Sequence, residues 1–210
     1  MELLKATPDN HYSISIVDPP YGIGMGSNKA GLGRRKGDRK AKYKMGDWDS
    51  EVPTEEYFAE LFRVSKNQII WGGNYFQLPP TKCFLIWDKL FSNDVSFADC
   101  EFAWTSFNST AKIFKKHPVE ANRQHPTQKP VALYKWLLTN YANPGDRILD
   151  THLGSMSIAI ACFDLGFDLT GTELDKDYYD AGVARFERHR AQGQLFHAPA
   201  TQLPEQQKMF

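Results

Sequence analysis

Asp18, Pro19, Pro20 and Tyr21, followed by Gly22, set a carboxylate, two rigid rings and an aromatic ring side by side. Consecutive prolines fix φ near about −65° and carry no N–H, so the backbone behind Asp18 is stiff and offers only carbonyl acceptors. Those groups suit a flat exocyclic amine. One amine hydrogen can go to the Asp18 carboxylate and the other to the Pro19 carbonyl, which draws electron density onto nitrogen and bends it toward a nucleophilic, tetrahedral geometry. Tyr21 offers its ring to the heterocycle, a stacking contact worth about 1–3 kcal/mol per base. A plainer role is a strand ending in a Pro-Pro turn, with Asp18 as a cap and Tyr21 as a surface aromatic. The buried-strand signal of Ile14 and Ile16 just upstream favours the chemical role, because it delivers the four residues to a strand end.

A second cluster lies in the last third of the chain. Arg147, Ile148, Leu149 and Asp150 lead into a small-residue turn, Thr151 to Ser155, and then a helix. A strand, such a turn and a helix make a cofactor cradle, since glycine permits close backbone approach and free N–H groups meet a carboxylate. About twenty residues on, a strand ends in Glu173, a spacing suited to an acid that accepts hydrogen bonds from ribose hydroxyls. An ordinary strand-to-helix turn with a capping acid would look similar. The third cluster, His125-Pro126-Thr127-Gln128-Lys129-Pro130, is a stiff polar loop whose lysine can reach a carboxylate.

The 210 residues suit one domain, and 41% hydrophobic content is enough for a substantial core. Aromatic residues reach 13%, in keeping with a protein that stacks bases. No apolar run approaches the ~20 residues of a membrane span, and no secretory signal opens the chain, so the expected location is cytoplasmic. Cys83, Cys100 and Cys162 are odd in number and widely spaced, which suggests neither a disulfide framework nor a zinc site. No metal is assigned to His11, His117, His152, His189 or His197 either. Formal charge is zero overall, yet Lys29, Arg34, Arg35, Lys36, Arg39, Lys40, Lys42 and Lys44 face only Asp38 in their stretch. Six glycines between Gly22 and Gly37 deprive that stretch of a packed element. It reads as a long, mobile basic loop over 23–48. Starting one residue after the amine pocket, it is placed to contact phosphates.

Elements that could position these clusters follow from periodicity and breakers. A strand over 14–17 precedes Asp18. Thr54 caps a helix running to about residue 65, with Phe58, Leu61, Phe62 and Val64 on its apolar side. Strands are expected over 68–71, 83–87 and 99–105, and a hairpin arm over 108–116. A helix over 131–141, a strand over 146–150, a helix over 157–165, a strand over 167–172 and a helix from 175 to about 191 complete the chain, with a loose polar tail over 192–210. Strands alternating with helices predict an α/β, doubly wound, mostly parallel sheet in a single domain.

The three motifs resemble those of the beta class of amino DNA methyltransferases, which methylate adenine N6 or cytosine N4, and their order along the chain is similar too. The resemblance spans about residues 12 to 190. It implies a Rossmann-like S-adenosylmethionine-dependent fold, double-stranded DNA as partner, and a base flipped into the pocket at a cost of a few kcal/mol. On this resemblance Asp18, Pro19, Pro20 and Tyr21 are catalytic. Thr127, Lys129, Asp150, Thr151, Gly154, Ser155 and Glu173 hold the cofactor, with Lys129 on its carboxylate and Glu173 on its ribose. Asp rather than Ser at the first motif position resembles the adenine branch. Cytosine N4, an RNA adenine, or a non-catalytic nucleic-acid-binding subunit are the alternatives. Two departures stand out. Met156 occupies a position where the family usually has glycine, and only Met1 to Tyr12 precede the catalytic strand, where members commonly have a further strand. That leaves one strand unplaced, near 194–197 or supplied by nothing. A protomer this small would contact little DNA, so a homodimer is a further expectation.

Overall fold

The computed structural model describes residues 1–24, 49, 51–91, 98–118 and 128–196. Its strands are β1 (Tyr12–Val17), β2 (Ser65–Trp71), β3 (Phe84–Asp88), β4 (Cys100–Thr105), β5 (Lys112–Lys115), β6 (Arg147–Asp150) and β7 (Asp168–Gly171). They form one sheet in the order β5-β3-β4-β2-β1-β6-β7. All neighbours run parallel except β4, which is antiparallel to both β2 and β3. The helices are α1 (Glu2–Ala6), α2 (Glu55–Val64), α3 (Val131–Tyr141), α4 (Ser157–Leu165) and α5 (Lys176–Phe196).

Alternation along the strands explains the layering. Ile14, Ile16, Ile69, Trp71 and Ile148 point to one face and pack with Leu133, Leu137 and Leu138 of α3 and Ile158 and Ala161 of α4. Val17, Ile70 and Leu149 belong to the opposite layer, under Leu4 of α1 and Phe58, Leu61 and Val64 of α2. A strand with both faces covered needs apolar residues at successive positions, and β1, β2 and β6 have them. Emptying one such site, for instance Leu61→Ala, would cost about 2–5 kcal/mol.

Local signals set the ends. The Thr54 hydroxyl accepts the Tyr57 N–H at 3.3 Å and starts α2. Pro130 precedes α3, and Gly166 at φ +75° closes α4. Asp175 accepts the N–H groups of Asp177 and Tyr178 at 2.8 and 3.2 Å ahead of α5.

Two expectations are corrected, and one element is new. Segment 108–116 is not a hairpin arm: β5 pairs parallel with β3, Leu85 opposite Lys112, and forms the sheet edge. The final helix does not end near 191 but continues to Phe196, so no strand forms over 194–196 and the loose tail does not begin at 192. The short helix α1 was not foreseen; its five residues close on an Arg63 guanidinium that donates to the carbonyls of Leu4 and Thr7 at 2.8 and 2.9 Å.

β1 is where the sheet changes direction. The chain moves from β1 outward to β2 on one side, and from β6 outward to β7 on the other, while β1 and β6 lie side by side. Their carboxyl ends therefore open into the crevice where doubly wound sheets bind ligands.

Candidate active site

Asp18 leaves β1 at that crevice, and Pro19 behind it is buried. Both carboxylate oxygens of Asp18 have partners. Oδ1 accepts the Tyr21 hydroxyl at 2.6 Å, and Oδ2 meets the Lys129 ammonium at 2.6 Å. Lys129 comes from the loop before α3 and is only 3% exposed. Its ammonium also lies 2.8 Å from Glu101 on β4, and 5.2 Å from the centre of the Trp71 ring. Lys89, 2.9 Å from Glu101, closes a row of alternating charge that runs Asp18, Lys129, Glu101, Lys89.

Burial and pairing compete in this row. Burial pushes the Asp18 carboxyl above its ordinary range, with the Lys129 ammonium opposing it. For Lys129, burial favours loss of the proton, but Asp18 and Glu101 together hold its pKa above the usual lysine value. Burial likewise opposes the charge on Glu101, and Lys129 and Lys89 overcome it, so Glu101 stays below the ordinary carboxylate range. An ion pair this enclosed is retained because removing one member would leave a buried charge uncompensated.

Tyr21 is fixed from several directions. Its ring stacks on Tyr75 at 5.0 Å and 14° between planes, and Phe76 meets it edge-on at 6.2 Å. Gly72, at φ +70°, gives it room: a Cβ there would lie 2.2 Å from Tyr21 Cε1. A base stacked on Tyr21 must therefore use the face away from Tyr75 or displace it. Burial first, and the nearby Asp18 charge second, hold the phenol well above its usual pKa, so it stays a donor.

The turn after β6 is built differently. Asp150 is buried, accepts the His152 N–H at 2.9 Å, and is pushed up to about 8, chiefly by burial. Gly154 takes φ +49°, and its N–H donates to Glu173 at 2.7 Å; the other Glu173 oxygen accepts the Asp175 N–H at 3.0 Å. Thr151 shares hydrogen bonds with the Tyr57 hydroxyl at 2.7 Å and His152 Nδ1 at 2.9 Å. Burial lowers the His152 pKa to about 4, which keeps the ring neutral. The Ser155 hydroxyl meets that of Ser157 at 3.2 Å, and its carbonyl accepts from Arg185 at 2.7 Å.

Met156 explains how the turn survives without its usual glycine. It caps α4 in the left-handed region, φ +57° and ψ +29°, where a side chain costs about 1–2 kcal/mol. Its side chain is buried against Gly182 of α5, where an added Cβ would lie 2.8 Å from Met156 Cγ. Packing against that bare helix position offsets the strain and lets the chain keep a glycine-like turn.

The sequence-predicted residues thus fall into two groups that meet at the ends of β1 and β6. Asp18, Tyr21 and Lys129 are together; Asp150, Thr151, Gly154, Ser155 and Glu173 form the neighbouring turn. Lys129, expected on the cofactor carboxylate, has Asp18 and Glu101 as its protein partners. Thr127 and the basic residues Lys29, Arg34, Arg35, Lys36, Arg39, Lys40, Lys42 and Lys44 lie outside the described residues. Sequence reasoning missed Glu101, Tyr75 and Asp49, which accepts backbone N–H groups of the motif at 2.6 and 3.0 Å. Glu101 gave one signal, an acid inside the run Cys100 to Thr105. Among the described residues no group of His, Cys, Asp and Glu is placed to hold a metal, and no helix is long and apolar enough to cross a membrane.

Known proteins are similar to this chain in sequence and in fold. A family model for DNA methylases, of the N6/N4 methyltransferase kind, matches residues 70–184, which includes the Lys129 loop and the Asp150 turn but begins downstream of Asp18. YubD of Escherichia coli (strain K12) is 24% identical over 206 residues, covering 88% of this chain and 86% of that protein. The DNA adenine methyltransferase YhdJ of the same organism is 32% identical over 72 residues, 34% of this chain and 24% of that enzyme. Among solved structures, M1.HpyAVI in complex with SAM superposes with a TM-score of 0.55 at 20% identity, over 88% of this chain and 94% of that one. The cytosine-N4-specific PvuII DNA methyltransferase gives 0.57 at 13% identity, over 90% and 87%. At these identities the structural matches establish the fold, a mostly parallel sheet of the methyltransferase type.

Proposed function

The chain belongs to the N6/N4 DNA methylase family, and we propose that it methylates the N6 amine of adenine in double-stranded DNA, with the base flipped into the pocket at Asp18. The methyl donor is S-adenosylmethionine, which supplies an electrophilic methyl group on a sulfonium. The crevice residues fit that molecule. A left-handed glycine brings backbone close at Gly154, and Glu173 stands beside it as an acceptor for ribose hydroxyls. Thr151, Ser155 and Asp150 complete the turn that would hold it, while Thr127 and Lys129 would hold its amino-acid end.

The observation that carries the reading is the Asp18 carboxylate at the end of β1, half-buried and held by Lys129, one strand from that turn. Each carboxylate oxygen can accept more than one hydrogen bond, so Asp18 can accept one from the amine N–H while Tyr21 and Lys129 keep it in place. The Pro19 carbonyl would take the second amine hydrogen. Asp18 and Pro19 aim the nitrogen, and Tyr21 packs on the ring. The methylated amine is strongly acidic and needs no dedicated strong base, so most of the acceleration comes from proximity and orientation. The eight basic residues of segment 23–48 would bind phosphates. Asp at the first motif position and the resemblance to YhdJ favour adenine; the fold shared with a cytosine-N4 enzyme makes N4-methylcytosine the second reading. A homodimer in the cytoplasm is the form proposed for the working enzyme, and sedimentation of the purified protein checks the dimer.

Tritiated methyl transfer to DNA, followed by separation of the nucleosides, tests the base. Label in N6-methyladenine is expected; label confined to N4-methylcytosine would refute it.

A further inference from the structure

Pro19 and Pro20 have no N–H, so the first two backbone donors after Asp18 belong to Tyr21 and Gly22. Both are taken by one atom. Oδ1 of Asp49 accepts the Tyr21 N–H at 2.6 Å and the Gly22 N–H at 3.0 Å. Converging on one oxygen, the two N–H groups form a small anion-binding concavity, and Gly22 carries the chain out of it in the left-handed region at φ +71°. A side chain at Gly22 would also collide with Val52, whose Cγ1 would lie 2.9 Å from its Cβ. The Asp49 main chain adds a third tie, its carbonyl accepting the Gly24 N–H at 3.0 Å. Asp49 itself is 2% exposed. A carboxylate withdrawn this far from water is costly unless it is hydrogen-bonded, and two of its bonds come from the catalytic motif's own backbone.

The consequence reaches the Tyr21 side chain. Asp49 fixes the peptide planes on either side of Tyr21, Gly72 and Tyr75 confine its ring, and Asp18 holds its hydroxyl. Asp18 and Tyr21 are only three residues apart, so an error in the backbone between them misdirects both. We propose that Asp49 is a positioning residue that locks the turn from Asp18 to Gly22 through two backbone N–H groups. It touches neither base nor methyl donor. The inference rests on the reading of Asp18 and Tyr21 as catalytic.

Three substitutions in the full chain test it, read by total methyl transfer to DNA, binding of S-adenosylmethionine by calorimetry, and amide hydrogen exchange. Asp49→Ala should lower kcat at least about tenfold, since small displacements of positioned groups carry large rate costs. Affinity for S-adenosylmethionine should stay within about twofold, and exchange at Tyr21 and Gly22 should accelerate. Asp49→Asn keeps an oxygen that accepts both N–H groups and should restore most of the turnover and the protection. Asp49→Glu keeps the charge but displaces it by one methylene, and should lower kcat with little change in KM for DNA. Wild-type kcat in Asp49→Ala or Asp49→Glu, or an Asp49→Asn loss as deep as that of Asp49→Ala, would overturn the proposal. Total transfer does not depend on which base is modified. Should the wild-type chain transfer no methyl group to DNA, the chemical assignment fails, and amide exchange still decides whether Asp49 holds the turn.

Discussion

The pocket at Asp18 and the turn at Asp150 open side by side from β1 and β6, yet they are held by opposite means. Around Asp18 the order comes from charge: Lys129 sits between Asp18 and Glu101, which hold its proton, and it opposes the cost of burial on both carboxylates. Around Asp150 it comes from backbone shape: two left-handed residues, Gly154 and Met156, and a carboxylate that caps a backbone N–H. The difference teaches where each region is vulnerable. The first should fail when a partner is removed; the second should fail when φ or the packing that supports it is changed.

Lys129→Met breaks the first region most sharply. It strands two enclosed carboxylates, so the chain should lose about 3–5 kcal/mol in urea unfolding, with part recovered when Glu101→Gln is added. An unchanged midpoint would mean that charge does not organise the pocket. At the turn, Met156→Ala removes a buried side chain and keeps the strain, at about 2 kcal/mol or more. Met156→Gly should be more stable than Met156→Ala by about 1 kcal/mol, the reverse of the usual order of the two residues in a helical setting. Equal stabilities would show that the left-handed conformation carries no cost.

Asp150 gives a pH signature. Its folded-state value of about 8 lies above the ordinary 3.8, so between those two values the native chain keeps a proton that the unfolded chain has released. Stability should therefore decline as pH climbs from about 4 to about 8 and level off above that. Asp18 shifts in the same direction, so Asp150→Asn should flatten only part of the slope in Tm against pH; an unaltered slope would contradict the burial assigned to it. Thr54→Ala, outside both regions, should cost about 1 kcal/mol without touching binding or transfer.

The contrast also explains what could be read from sequence. Turn chemistry is local, so α3 after Pro130 and α4 before Gly166 appear at their expected residues, and Met156 stands out as a missing glycine, although its left-handed backbone was not expected. Charge partners are not local. Glu101 reaches Lys129 from another strand, and Asp49 meets Tyr21 across 28 residues; no spacing rule announces either. Strand β5 was misread for the same reason. Its sequence is short, Ile113 and Phe114 between two lysines, and only pairing with β3 makes it a parallel edge strand.

The division of labour between the two regions is tested most directly by Asp18→Ala, with calorimetric binding of S-adenosylmethionine and single-turnover methyl transfer to DNA measured on the same preparation. Affinity within a few fold of wild type, together with transfer reduced at least about a thousandfold, is the predicted result. Normal turnover in that variant would contradict the account.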